Sequence, residues 1–193
     1  IDIRMLDHLV DDRLKAGNTY TVNVNSTVVI EGELDESFAA IPMTTRKRIL
    51  LEVPYVEALH ERADFDRMVT ALEHEKFPVA LDGIRWSSLP KLEVPPDRFA
   101  YLKVMWDRHL TPVNEADWAA FSASVTKLGP ERFILFNCVD EAAIPNLMAL
   151  GLTLFQGRGV ENFMRQERIV SLHARDHAEQ PERLADETSR TGR

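Results

Sequence analysis

The sequence predicts an α/β protein whose parallel sheet curves into part of a (β/α) barrel. Short apolar runs alternate with amphipathic stretches, and the runs start roughly 20 to 32 residues apart, the size of one strand-plus-helix unit. Several runs, such as "RILLEV" and "RFILFNCV", are almost entirely apolar, as in strands covered on both faces. No glycine-rich turn follows the first run, so a dinucleotide-binding sheet is unsupported and a barrel is preferred.

Six strands are predicted, fewer than the eight of a complete barrel. A partial barrel has two sheet edges, and edges tend to pair with other chains. We expect upstream sequence, a swapped neighbour or a local rearrangement to cover them. The strands, in chain order, are Tyr20–Ile30, Arg48–Val53, Phe77–Asp82, Phe99–Met105, Arg132–Cys138 and Leu152–Gln156.

Four stretches have the spacing of amphipathic helices. The opening "IDIRMLDHLVDDRLKAG" ends at Gly17, and "EALHERADFDRMVTALEHEKF" follows the second strand. "NEADWAAFSASVTKLG" begins with Asn114 as a candidate N-cap and ends at Gly129, and "DEAAIPNLMALG" ends at Gly151. We expect residues 1–170 to form the barrel portion and the polar residues 171–193 to form a tail.

Composition excludes several classes of function. A net charge of −8 over 193 residues argues against binding to nucleic-acid polymers or to membrane surfaces. No apolar run reaches the length of a membrane span, and the single cysteine, Cys138, suits a reducing compartment, so a cytoplasmic location is predicted. The chain starts at Ile1 rather than at methionine, as expected of a segment of a longer protein.

Polar residues stand at or near the ends of all six predicted strands. In a strand–helix barrel these ends converge on one mouth, where functional groups project. Polar residues also end strands simply because the chain leaves the core. Six together, several of them oxygen donors for hard cations, favour an existing or ancestral site. They are Asn23, Glu52, Asp82, Lys103, Asn137 and Gln156.

These segments resemble, in order, the motifs of EAL domains, the cyclic-di-GMP phosphodiesterase family. "TVNVNS" resembles the family's Asn-Leu-Ser strand, "ILLEVPYVEAL" its Glu-Leu-Thr-Glu strand and "VALDGIRWSSL" its Asp-Asp loop. "YLKV" is similar to the lysine strand, "FNCVDE" to the Glu-Gly-Val-Glu segment and "LGLTLFQGR" to the glutamine strand. The series runs from about Leu6 to Phe163, without the family's first strand. The letters Glu57-Ala58-Leu59 are a coincidence, and Glu57 is interpreted as a solvated helix residue.

The resemblance implies a site that uses two divalent ions, Mg²⁺ or Mn²⁺, to hydrolyse a phosphodiester. It assigns Asn23, Glu52 and Asp82 as counterparts of metal ligands, Lys103 as the active-site lysine and Gln156 as the glutamine at the mouth. Arg158 replaces an aromatic residue and could meet a phosphate or a partner's carboxylate. As ligand-binding positions we therefore take Asn23, Glu52, Asp82, Lys103, Gln156 and Arg158.

Several anionic ligands that the resemblance calls for are missing. Gly83 replaces the second aspartate of the Asp-Asp loop, Asn137 a glutamate, and Tyr55 the second glutamate of its strand. The loop is also about two residues short. With these carboxylates gone, a catalytic metal pair is not expected, and neither catalysis nor a resident metal or other cofactor is predicted. Mg²⁺ or Mn²⁺ would be required only if the site proved functional.

The sequence therefore predicts a catalytically inactive EAL-like domain that acts as a regulatory protein-interaction module in bacterial signalling. The alternative is a receptor that binds cyclic-di-GMP without cutting it, and an active phosphodiesterase ranks third. A homodimer is compatible with either. His173 and His177, four residues apart, are interpreted as part of a solvated tail, Cys138 as a packed residue, and Trp86 and Trp106 as core or rim packing.

Overall fold

The computed structural model describes residues 19–26, 38, 40–106 and 111–166. Its strands form one six-stranded parallel sheet in which each strand pairs with the next along the chain. The predicted incomplete barrel of six strands is therefore confirmed. The strands are β1 Tyr20–Asn23, β2 Ile49–Pro54, β3 Val79–Arg85, β4 Tyr101–Met105, β5 Phe133–Phe136 and β6 Leu154–Phe155.

Helices follow the strands and cover the outer, convex face of the sheet. The α-helices are α1 Met43–Arg46, α2 Tyr55–His60, α3 Arg62–His74, α4 Glu115–Leu128 and α5 Ile144–Ala149, and residues 158–166 are also helical. Short 3₁₀ helices occupy Trp86–Lys91, Pro96–Arg98, Pro130–Arg132 and Glu141–Ala143. The unit after β3 holds only 3₁₀ helices, because prolines at 90, 95 and 96 remove the amide donors that an α-helix needs.

The main core lies between the sheet and these helices. Leu51 and Leu81 on the strands and Phe65 on α3 are fully buried in one continuous cluster. A separate small cluster of Leu50, Ala80 and Ile134 lies on the opposite, concave face. Because side chains alternate between faces along a strand, the residue after each core residue points into the barrel. This alternation decides which side chains can form the site.

The limits of all six strands differ from the predicted ones by one residue or more, and β1, β5 and one predicted helix show how. β1 ends at Asn23 rather than Ile30, and residues 27–30 lie outside the described residues. β5 ends at Phe136, because Asn137 takes a left-handed conformation with φ +61°, which asparagine tolerates better than most residues. The helix predicted after the second strand is two helices, interrupted at Glu61 with φ −130°.

The cap predictions are confirmed at three positions. The Asn114 side chain accepts a hydrogen bond from Asp117 N at 2.9 Å and begins α4, and Gly129 ends it with φ +89°. Gly151, with φ +86°, follows α5. The opening helix and the polar tail lie outside the described residues, and the covering of the sheet edges stays a prediction.

Replacing Asn114 by alanine is expected to lower the free energy of unfolding by about 1 kcal/mol, because it removes the cap of α4. Urea denaturation followed by circular dichroism measures the change. The matched Asn114→Asp variant keeps a cap acceptor and should stay within a few tenths of a kcal/mol of the parent. Equal losses in both variants would contradict a capping role.

Candidate functional site

The register of the sheet brings four of the predicted site residues to one layer of the concave face. Asn23 pairs with Glu52 across β1 and β2, and Ala80, two residues before Asp82, pairs with Glu52 across β2 and β3. Lys103 follows Tyr101 by two residues on β4 and therefore shares its face. Residues that are far apart in the sequence thus lie at the carboxyl ends of neighbouring strands.

A buried ion pair is the centre of this layer. Lys103 Nζ donates to Glu52 Oε2 at 2.6 Å and lies 3.5 Å from Asp82 Oδ1. The side chains of Lys103 and Glu52 are only 7% and 4% exposed, whereas that of Asp82 is 23% exposed. The Lys103 ammonium also lies 5.2 Å from the centroid of the Phe136 ring, a cation–π distance. One ammonium therefore faces two carboxylates, and the group carries a net charge of −1.

Two oxygens of this group have no hydrogen-bond donor among the described residues. They are Glu52 Oε1 and Asp82 Oδ1, both buried. The 3.5 Å contact between Asp82 Oδ1 and Lys103 is an electrostatic contact without hydrogen-bond geometry. A buried acceptor without a donor costs about 1–3 kcal/mol, so these oxygens favour any donor or cation that can reach them.

A bulge in β3 positions Asp82. Against β4, Leu81 pairs with Leu102 and Ile84 pairs with Val104, so two residues of β3 lie opposite the single residue Lys103. Those two are Asp82 and Gly83, and Gly83 has φ +78°. The strand continues to Arg85, so Gly83 forms a bulge within it that redirects the neighbouring side chain.

The other predicted ligand positions lie near the group without forming part of it. Asn23 is exposed beside Glu52 at the end of β1. Gln156 follows β6, and its backbone is fixed by hydrogen bonds to Leu135 and Cys138. Arg158 is exposed at the start of the last described helix. The structure thus brings Glu52, Asp82 and Lys103 together and leaves Asn23, Gln156 and Arg158 at the rim.

The donor set does not fit a pair of divalent ions. Within the described ranges, no group of three or more histidine, cysteine, aspartate or glutamate side chains is arranged to hold a metal. Glu52 is already neutralised by Lys103, Gly83 carries no ligand, and the Tyr55 hydroxyl accepts a hydrogen bond from Glu93 N at 3.3 Å. Mg²⁺ and Mn²⁺ prefer several anionic oxygens in near-octahedral geometry, which these residues do not supply.

A cavity of about 290 Å³ lies one layer deeper on the concave face. It is lined by residues of both edge strands, including Thr21 on β1 and Leu154 on β6, so the sheet curls far enough to bring its two edges around one space. Leu50 and Tyr101, two residues before Glu52 and Lys103, line it as well. The cavity therefore lies one layer of side chains below the ion pair.

Sequence reasoning missed two contacts at the site. One is the contact between Phe136 and Lys103. Alternation along β5 would have predicted it, because Phe136 lies two residues after Ile134 and therefore points to the same face. Glu57 was interpreted as solvated, but it is half-buried on α2, and its Oε2 accepts a hydrogen bond from Ser26 N at 2.9 Å. That bond fixes the segment after β1, because Ser26 is buried.

The remaining candidates pack as predicted. Trp106 is 3% exposed and contacts Trp118 and Phe121, with ring centroids 6.3 and 5.2 Å away. Trp86 packs partly against the main core. Cys138 is fully buried, and burial raises the pKa of its thiol to about 11, so the reactive thiolate is scarce at neutral pH. His173 and His177 lie outside the described residues.

Comparisons with known proteins identify the fold by structural similarity, whereas comparisons of the sequence find no match. No family model and no characterised protein matches the sequence. Among solved structures, the Vibrio cholerae LapD S helix-GGDEF-EAL segment bound to c-di-GMP has a TM-score of 0.62 and 14% identity. The match covers 81% of this chain and 39% of that one. This chain therefore spans well under half of that relative.

Two further structures agree. The Bacillus subtilis YkuI protein, with an EAL domain in complex with substrate c-di-GMP and calcium, has a TM-score of 0.55 and 17% identity, over 92% of this chain and 51% of its own. The EAL domain of Mycobacterium smegmatis DcpA has a TM-score of 0.55 and 17% identity, over 86% of this chain and 80% of its own. The chain thus has the fold of an EAL domain in incomplete form.

Proposed function

Because the chain has the fold of EAL domains, we propose that it is a catalytically inactive member of that class and acts as a regulatory protein-interaction module in bacterial signalling. The single observation that supports this most strongly is the buried Glu52–Lys103 pair at 2.6 Å, with glycine next to Asp82. It leaves one partly exposed carboxylate, Asp82, at the mouth of the barrel.

The electrostatics of the described mouth supports this proposal. At an effective dielectric constant of about 20, one carboxylate 4 Å from a unit charge contributes about 4 kcal/mol, and twice that for a divalent ion. Two adjacent divalent ions repel each other and need several such anions. Glu52 and Asp82 carry two negative charges, and Lys103 cancels one of them. The described mouth is therefore too weakly anionic to hold two metal ions.

The second candidate is a receptor that binds c-di-GMP without hydrolysing it. The solved structures of similar fold favour it, since LapD and YkuI are both described with c-di-GMP bound. The polar positions Asn23, Gln156 and Arg158 remain at the rim, where they could contact a nucleotide. Calorimetry with c-di-GMP, with and without Mg²⁺, separates the candidates, because heat that saturates supports the receptor and its absence supports the interaction module.

We expect no hydrolysis of c-di-GMP above the level of the Glu52→Ala variant, with either Mg²⁺ or Mn²⁺ present. The reason is that the second carboxylate needed at position 83 is absent. Chromatographic detection of the linear dinucleotide measures this, with an active phosphodiesterase of the same fold as positive control. Product that forms in the parent chain and disappears in Glu52→Ala would overturn the proposal.

A protein partner in a signalling pathway and a cytoplasmic location are part of this proposal. Arg85 is exposed, Trp86 is half-buried, and Arg158 is exposed near the same end of the barrel, so they are the first residues to replace when a partner is sought. Homodimer formation is compatible with the open sheet. In the part of the chain that the structure describes, no helix combines the length and apolarity required to cross a bilayer.

A further inference from the structure

The cation at the mouth is not available to bind an anionic ligand. Lys103 Nζ lies 2.6 Å from Glu52 Oε2, and the Lys103 side chain is 7% exposed. The same nitrogen also lies 3.5 Å from Asp82 Oδ1 and 5.2 Å from the centroid of the Phe136 ring. A phosphate would have to displace Glu52 from this pair and leave a buried carboxylate without its cation. The central group therefore disfavours phosphate.

The atoms that lack partners are acceptors, and they are anionic. Glu52 is 3% exposed, yet its Oε1 receives no hydrogen bond from the described residues, and the same is true of Asp82 Oδ1. The Asp82 side chain, 23% exposed, opens this group to the solvent. With a net charge of −1, the group is complementary to a positively charged hydrogen-bond donor.

The adjoining cavity has a different character. Leu50, Ile134 and Leu154 give it apolar walls, and Leu154 is 38% exposed, so the cavity is open at the β6 edge. The side chains of Thr21 and Gln156 add polar groups to its lining. An apolar space of about 290 Å³ next to an anionic group suits a side chain with a hydrophobic stem and a cationic head.

We propose that the mouth binds an arginine side chain presented by a partner protein. The guanidinium donates to the partly exposed carboxylate of Asp82, while the aliphatic stem packs against the apolar wall of the cavity, which is open at the β6 edge. Arginine fits better than lysine, because its planar fork matches carboxylates and it is more weakly hydrated. This inference rests on the proposed interaction function and names the chemistry of the partner at that site.

A titration with N-acetyl-arginine amide, followed by NMR of the ¹⁵N-labelled chain, tests the proposal. The probe should shift the amides of Asp82, Gly83 and Leu154 in a saturating manner, and the neutral analogue N-acetyl-norleucine amide should not. Asp82→Asn is expected to weaken binding about fivefold to tenfold, the range expected for one charge-assisted hydrogen bond. The matched control Asp140→Asn changes an exposed carboxylate after β5 that is outside the group, and should leave affinity unchanged.

The outcomes separate this inference from the proposed function. No shift at these amides up to the solubility of the arginine probe, equal shifts with norleucine, or unchanged affinity in Asp82→Asn would each overturn the arginine site. Shifts at the same amides with c-di-GMP alone would overturn it in favour of the nucleotide receptor. Hydrolysis of c-di-GMP would instead overturn the proposed function, whatever the arginine titration shows.

Discussion

Replacing Lys103 by methionine is expected to lower the free energy of unfolding by about 3–5 kcal/mol. The variant leaves the Glu52 carboxylate, 4% exposed, without its cation and beside a second carboxylate at Asp82. Removing one partner of a buried ion pair costs more than the pair contributes, because the remaining charge keeps its desolvation penalty. Urea denaturation followed by tryptophan fluorescence and circular dichroism measures the loss.

Two variants control this experiment. Glu52→Leu combined with Lys103→Met removes both charges, and we expect most of the lost stability to return, since apolar replacement of a buried pair is often neutral. Lys127→Met removes an exposed lysine on α4 and should change stability by less than about 0.5 kcal/mol. A Lys103→Met variant as stable as Lys127→Met would show that the pair is not buried as described.

The Gly157→Ala variant is expected to lose about 3 kcal/mol or to fail to fold. Gly157 has φ +140°, a conformation open almost only to glycine. A Cβ atom there would lie 2.4 Å from the carbonyl oxygen and 2.5 Å from the amide nitrogen of Cys138. Both are backbone atoms of the connection after β5, so no side chain can move aside to relieve the clash. Thermal and urea unfolding measure the effect.

Gly83→Ala is the matched control, because Gly83 also has a positive φ, +78°, but a Cβ atom there meets nothing within 4 Å. Only the backbone strain remains, and we expect a loss of about 1–2 kcal/mol. Similar losses at both positions would show that strain rather than contact sets the cost at Gly157. Because the space at Gly83 is open, packing does not prevent a side chain at this position, where the resemblance calls for an aspartate.

The sequence predicted the strands well because their apolar runs reflect burial on both faces. All six runs became strands in the predicted order, and Asn114, Gly129 and Gly151 ended or began helices as expected. The errors concern features without a local signal. They are the interruption at Glu61, where φ is −130°, and the early end of β5 at Asn137, where φ is +61°.

The candidate site was only partly predictable. Alternation along the strands places Glu52, Asp82 and Lys103 at one end of the sheet, and the resemblance identified the same positions. The role of Glu57 was misjudged, because its hydrogen bond joins a residue 31 positions earlier. The bulge at Asp82 was also missed, since a bulge exists only relative to the neighbouring strand.

By itself, the sequence determined the type and order of the strands and the absence of a carboxylate at position 83. Those properties depend on side-chain identity and on short, nearly continuous apolar runs, which a local window of the chain contains. Only the tertiary structure decided that the ammonium of Lys103 is held by Glu52, 51 positions away, and that the edge strands enclose a cavity. Ion pairing depends on distances of a few ångströms across the sheet, and those distances are set when the strands align.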